Sequence, residues 1–92
     1  MKKAILIRDL NTKEGLFSVN QTKSLYKLEP PFEKSEYVVI SAAHTIDHGP
    51  ETYIFKSDEE GNILDWSEME GSFIGGMDHK KALKNIEYTL TK

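Results

Sequence analysis

The chain contains no cysteine, so no disulfide framework and no thiolate metal site can stabilise it, and a cytoplasmic location is expected. It also lacks any long hydrophobic run. The apolar stretch Ala4-Ile5-Leu6-Ile7 behind Lys2 and Lys3 is far too short for a signal peptide or a membrane span, so no membrane partner is expected. Proline occurs three times, and the adjacent pair Pro30-Pro31 removes two consecutive backbone donors. Nor is there an excess of positive charge. The net charge is −3, and because the middle of the chain carries the wrong sign, a basic nucleic-acid groove is not expected.

What is present suits one small domain. A chain of 92 residues with 38% hydrophobic and 29% charged side chains falls among globular rather than disordered sequences. A domain near this size buries only roughly 60 to 65% of the surface its unfolded chain exposes, so homodimerisation would help it. Charge is uneven along the chain: residues 1–46 sum to +2, residues 47–70 to −7 and residues 71–92 to +2. The acidic block reads either as solvated surface or as a face that binds a basic partner.

The pattern is mostly of period two. Lys3 to Arg8 reads as a first strand, with Asn11 to Gly15 as a turn before a hairpin partner at Leu16 to Val19. Ser24 to Leu28 alternates and is stopped by Pro30-Pro31, which suggests a short edge strand. The strongest strand runs from Glu36 to Thr45, where Tyr37, Val38, Val39 and Ile40 form an unbroken run expected to be covered on both faces. Asp47 to Pro50 turns the chain into Thr52 to Lys56. The polar loop Asp58 to Asn62 then returns it through Ile63 to Trp66. Ser67 to Met77 reads as a glycine-bearing loop. Asp78 is placed to cap a helix from about His79 to Tyr88 with the stripe Ala82, Leu83 and Ile86. These elements predict an α+β domain: an antiparallel meander of about five strands with one C-terminal helix packed on the sheet.

Three constellations carry chemical potential. His44, Asp47, His48 and Glu51 are imidazole and carboxylate groups suited to a divalent ion, but their spacing matches no specific metal motif. The loop holding Ser72, Phe73, Gly75 and Gly76 approaches the helix start at His79, where backbone amides could cradle an anionic ligand. Asp78 would compete for the same amides. Tyr53, Phe55, Trp66, Phe73 and Tyr88 could floor a pocket. In so small a domain, however, Phe55 and Trp66 are expected to supply core instead. No nucleophile elbow surrounds any serine, and Glu59 and Glu60 sit in a hairpin tip where both remain ionised, so an enzyme is not the favoured reading.

The runs Gly49 to Phe55, Asp65 to Glu68 and Glu70 to His79, followed by Ala82-Leu83, resemble a family of small bacteriophage and bacterial proteins with no assigned activity. The resemblance spans roughly the C-terminal 55 residues and implies a phage or mobile-element setting, with no catalytic residues to carry over. The expectation is a cofactor-free, non-catalytic protein that occupies a host or self protein surface, with Asp58, Glu59, Glu60, Asp65 and Glu68 as the contact residues. Two alternatives stand beside it: a small-ligand binder using Ser72, Phe73, Gly75, Gly76, His79 and Tyr53, and a metal-dependent hydrolase using the clustered histidines and carboxylates.

Overall fold

The computed structural model describes residues 2–10, 18–45, 47 and 49–91, with the backbone alone for 18–20 and 45. Five strands form the antiparallel meander: β1 (Lys3–Asp9), β2 (Ser18–Phe32), β3 (Ser35–Thr45), β4 (Gly49–Ser57) and β5 (Ile63–Asp65). A two-residue β6 (Phe73–Ile74), the helix α1 (His79–Asn85) and β7 (Thr89–Thr91) complete the described chain. The sheet has the order β5-β4-β3-β2-β1-β7, with β6 alongside β4. Because β7 runs parallel to β1, the sheet is mixed and larger than the five-stranded antiparallel meander read from the sequence.

β2 differs most from its expectation. It is a 15-residue strand between β1 and β3, so Ser24 to Leu28 is central rather than an edge. The prolines fit because they lie past the doubly paired part. Pairing with β1 runs from Ser24 to Glu29, and the β3 ladder is interrupted between Lys27 and Phe32, where missing amides cost nothing. Of the expected turn Asn11 to Gly15 and hairpin partner Leu16 to Val19, residues 11–17 lie outside the described residues. Ser18 and Val19 open β2, with Ser18 paired to Thr45 of β3, and β1 instead pairs with the middle stretch of β2. β2 turns into β3 through Glu33 and Lys34, both at positive φ, the geometry that matches a two-residue hairpin to strand twist.

β3 is buried on both faces, as its apolar run predicts: Val38, Val39 and Ile40 are all fully buried. On one face Ala4, Tyr26, Leu28, Val38, Ile40 and Ile54 pack with Met69, Ala82, Leu83, Ile86 and Tyr88. On the other, Leu25 and Val39 are equally buried outside that cluster. There the Asp58 to Asn62 tip bends across the sheet: Arg8 donates to the Glu60 carbonyl, and the Leu10 side chain fills the space a Cβ on Gly61 would need.

The helix starts where expected and stops early. Asp78 caps it by accepting from the Lys81 amide at 3.1 Å. At the other end Tyr88 and Glu87 amides bond the Leu83 and Lys84 carbonyls, and Glu87 takes a left-handed φ of 67°. This closing motif ends α1 before Tyr88 and turns the chain into β7, with the Tyr88 hydroxyl donating to the Pro30 carbonyl. No helix among the described residues is long and apolar enough to cross a membrane.

Candidate functional site

Alternation along β4 sorts its side chains between two environments. Thr52 and Ile54 point into the helix-covered core, and Glu51, Tyr53 and Phe55 point to the opposite face. The only tryptophan, Trp66, lies just past β5 with its ring 5.5 Å from that of Phe55, which in turn lies 6.2 Å from Tyr53. Trp66 is 72% exposed, so it is not core as the sequence suggested. The reason is local. The β4–β5 ladder slips between Lys56 and Ser57 and ends at Asp65, leaving Trp66 beyond the paired strand with only one ring to lean on.

Carboxylates border this aromatic row. The Tyr53 hydroxyl donates to Glu51 Oε2 at 2.8 Å, and that bond holds the phenol's pKa above its ordinary value, with Glu68 adding to the effect through its charge. Ile74, also 72% exposed, pairs with Glu51 and extends the surface. Ring faces, an exposed aliphatic side chain and two carboxylates therefore share one side of the β4 edge. That combination can hold a ligand having both apolar area and positive charge.

The other acidic residues are placed differently. Asp58 accepts from the Glu60 and Asn62 amides at 2.9 Å and from the Asn62 side chain at 3.0 Å, which depresses its pKa and commits its carboxylate to the turn. Asp65 pairs with Lys56 in the ladder and accepts from the Ser67 amide at 2.9 Å, which likewise lowers its pKa. Glu59, Glu60 and Glu68 are exposed.

The glycine-bearing loop and the β3–β4 turn are brought together by the main chain. β6 pairs with Glu51 and Thr52, the Gly75 amide donates to Pro50, and the Thr52 hydroxyl donates to the Gly76 carbonyl at 2.8 Å. Ser72 accepts from the Ile54 amide at 2.9 Å, and the Asp78 amide donates to Thr52. These groups fasten the loop to the open edge of β4. Phe73 packs on the core, with the Lys81 ammonium 4.8 Å from its ring centre. His44 and Asp47 are exposed and Glu51 is half-buried, whereas His48 lies outside the described residues. No group of three or more potential metal ligands occurs among the described residues.

A second polar cluster lies beneath the start of α1. His79 Nε2 meets the Thr22 hydroxyl at 2.8 Å and Nδ1 meets the Tyr26 hydroxyl at 2.9 Å, while Ser24 donates to Asp9 at 2.8 Å. Burial lowers the His79 pKa against the opposing charges of Asp9 and Asp78. Burial likewise raises that of Tyr26, with the Ser24 hydrogen bond working the other way. Serine, histidine and aspartate thus share a cluster, but serine is bonded to the carboxylate and histidine to the phenol. The arrangement lacks the serine–histidine bond that activates a nucleophile. Thr22, Ser24 and Tyr26 alternate along one face of β2, a pattern visible in the sequence, but nothing there connects them to His79. No known protein family, curated protein or solved structure matches this chain.

Proposed function

We propose that this protein is a small non-catalytic binding module that occupies a host or self protein surface through the aromatic and acidic face of β4 and β5. The observation that carries this reading is Trp66, 72% exposed with its ring tilted against that of Phe55 at 5.5 Å. A domain short of buried area gains from enclosing its largest aromatic, so leaving it at the surface costs about 2 kcal/mol or more of available burial. Such a ring is the kind of anchor that dominates protein interfaces. The acidic block at residues 47–70, with its sum of −7, supports a partner of positive charge, and the reading places that encounter in the cytoplasm.

The sequence resemblance adds a phage or mobile-element setting to the proposal, in which the partner is a host protein or a second copy of the chain. Affinity capture with wild-type and Trp66→Ser protein tests it, with sedimentation of the purified chain covering self-association. The expected result is a partner, or a dimer, present with wild type and lost with the variant. Identical captured sets and a monomer in both preparations would overturn the reading.

A further inference from the structure

Resting on that reading, we infer that the face formed by Glu51, Tyr53, Phe55, Trp66 and Glu68 recognises arginine side chains on an extended protein segment. Spacing is the first argument. Tyr53 and Phe55 follow one another at 6.2 Å along β4, close to the repeat of alternate residues in an extended peptide. Trp66, next after Asp65 of β5, lies across from Phe55 at 5.5 Å, so the three rings form an angular patch. A partner segment lying along β4 sets successive same-side residues over Tyr53 and Phe55, with Trp66 beside the second.

Charge is the second. Glu51 is fixed by its 2.8 Å bond from Tyr53, and Glu68 acts on the same phenol, so both carboxylates flank the aromatic row. A guanidinium stacks on an aromatic face while its edge donates to a carboxylate. It is also more weakly hydrated than the lysine ammonium, which favours arginine where both contacts exist together. Phosphates and acidic segments are repelled by the same pair. The lysine in this row, Lys23, pairs with Ser41, which pairs with Tyr53, so it lies two strands and roughly 10 Å away.

The mode of docking also follows. The Ile54 amide is taken by Ser72 and its carbonyl by the Met69 amide at 2.8 Å, so the middle of the β4 edge offers no free ladder groups. A partner therefore engages side chains on the face rather than adding a strand there.

Because Trp66 is the only tryptophan, its fluorescence reports this face directly. The probes are capped pentapeptides of alternating glycine with arginine, lysine or citrulline, the last keeping the shape of arginine without its charge. The arginine peptide is expected to shift Trp66 emission at least tenfold more tightly than citrulline and measurably more tightly than lysine. Glu68→Gln and Glu51→Gln should each weaken it about fivefold while leaving the melting temperature within a few degrees. Equal affinity for arginine and citrulline, or for arginine and lysine, overturns arginine recognition, as does silence with all three. Trp66-dependent capture of a partner alongside silence with the peptides would refute this inference and leave the binding reading standing. Failure of capture together with silence would sink both.

Discussion

The Tyr26 hydroxyl meets His79 Nδ1 at 2.9 Å, and through this bond the first residue of α1 is fastened to the middle of the central strand β2. The other ring nitrogen is held by Thr22. The imidazole therefore bridges two hydroxyls of one strand from a helix 53 and 57 residues further along the chain.

That bridge sets a pH dependence. Burial lowers the His79 pKa in the folded protein, so the unfolded state binds its proton more readily. The resulting stability is present above the ordinary histidine range, near pH 6.5, and is lost as the pH falls through the lower folded value. Urea midpoints measured between pH 7.5 and 5 should fall with pH, and His79→Gln should flatten that limb. An unchanged slope in the variant would assign the loss to other groups.

Gly71 is where the loop passes beneath α1. Its φ is +102°, and a Cβ would lie 2.9 Å from the Ala82 carbonyl oxygen, 2.9 Å from Ile54 Cδ1 and 3.0 Å from Ile86 Cγ2. A backbone carbonyl cannot rotate aside as a side-chain tip can. Gly71→Ala should cost about 2 to 5 kcal/mol in chemical denaturation, from overpacking and left-handed strain combined. Gly75→Ala, at the same φ with nothing within 4 Å, meets only the strain and should cost about 1 to 2 kcal/mol.

Features determined locally were legible in the sequence. Asp78 caps α1, Ala82, Leu83 and Ile86 face the core, and the Val38 to Ile40 run is covered on both sides, because each depends on neighbours a few residues away. What depends on distant pairing was not legible. β7 joins β1 across nearly the whole chain, and Ser24 to Leu28 became central because β1 arrives on one side and β3 on the other. Trp66 misled for a related reason. Its burial would have required the β4–β5 ladder to continue past Asp65, and the slip at Lys56/Ser57 ends it. The bonds from His79 to Thr22 and Tyr26 likewise join elements whose juxtaposition no local pattern encodes.

Among the described residues three non-glycines, Glu33, Lys34 and Glu87, have left-handed φ, and glycine would occupy the last two positions more cheaply. Glu87, at φ 67°, closes α1, and its exposed ion pair with Lys2 at 3.5 Å contributes little in return. Lys34, at φ 68°, occupies the second position of the β2–β3 turn. Relief of roughly 1 to 2 kcal/mol of strain, offset by glycine's greater chain entropy, predicts a gain of about 0.5 to 1 kcal/mol for Glu87→Gly and for Lys34→Gly. Both turns lie at the same end of the sheet, where Phe32, just before the β2–β3 turn, meets the ring of Tyr88, just after Glu87, at 6.1 Å. The double variant should therefore depart from additivity in urea denaturation.

The exposure of Trp66 separates its cost to stability from its cost to binding. A buried tryptophan truncated to alanine loses about 3 to 5 kcal/mol, whereas Trp66 has a single ring neighbour and remains 72% in solvent. Trp66→Ala should therefore shift stability by less than about 1 kcal/mol, against about 2 to 5 kcal/mol for Leu83→Ala beneath the helix. Equilibrium denaturation followed by far-ultraviolet circular dichroism makes the comparison without a tryptophan signal. If the two variants prove equally destabilised, Trp66 serves the fold and the surface assigned to binding is a misplaced part of the core. If Trp66→Ala is neutral, the ring is maintained at the surface without benefit to the isolated domain, as a binding anchor would be.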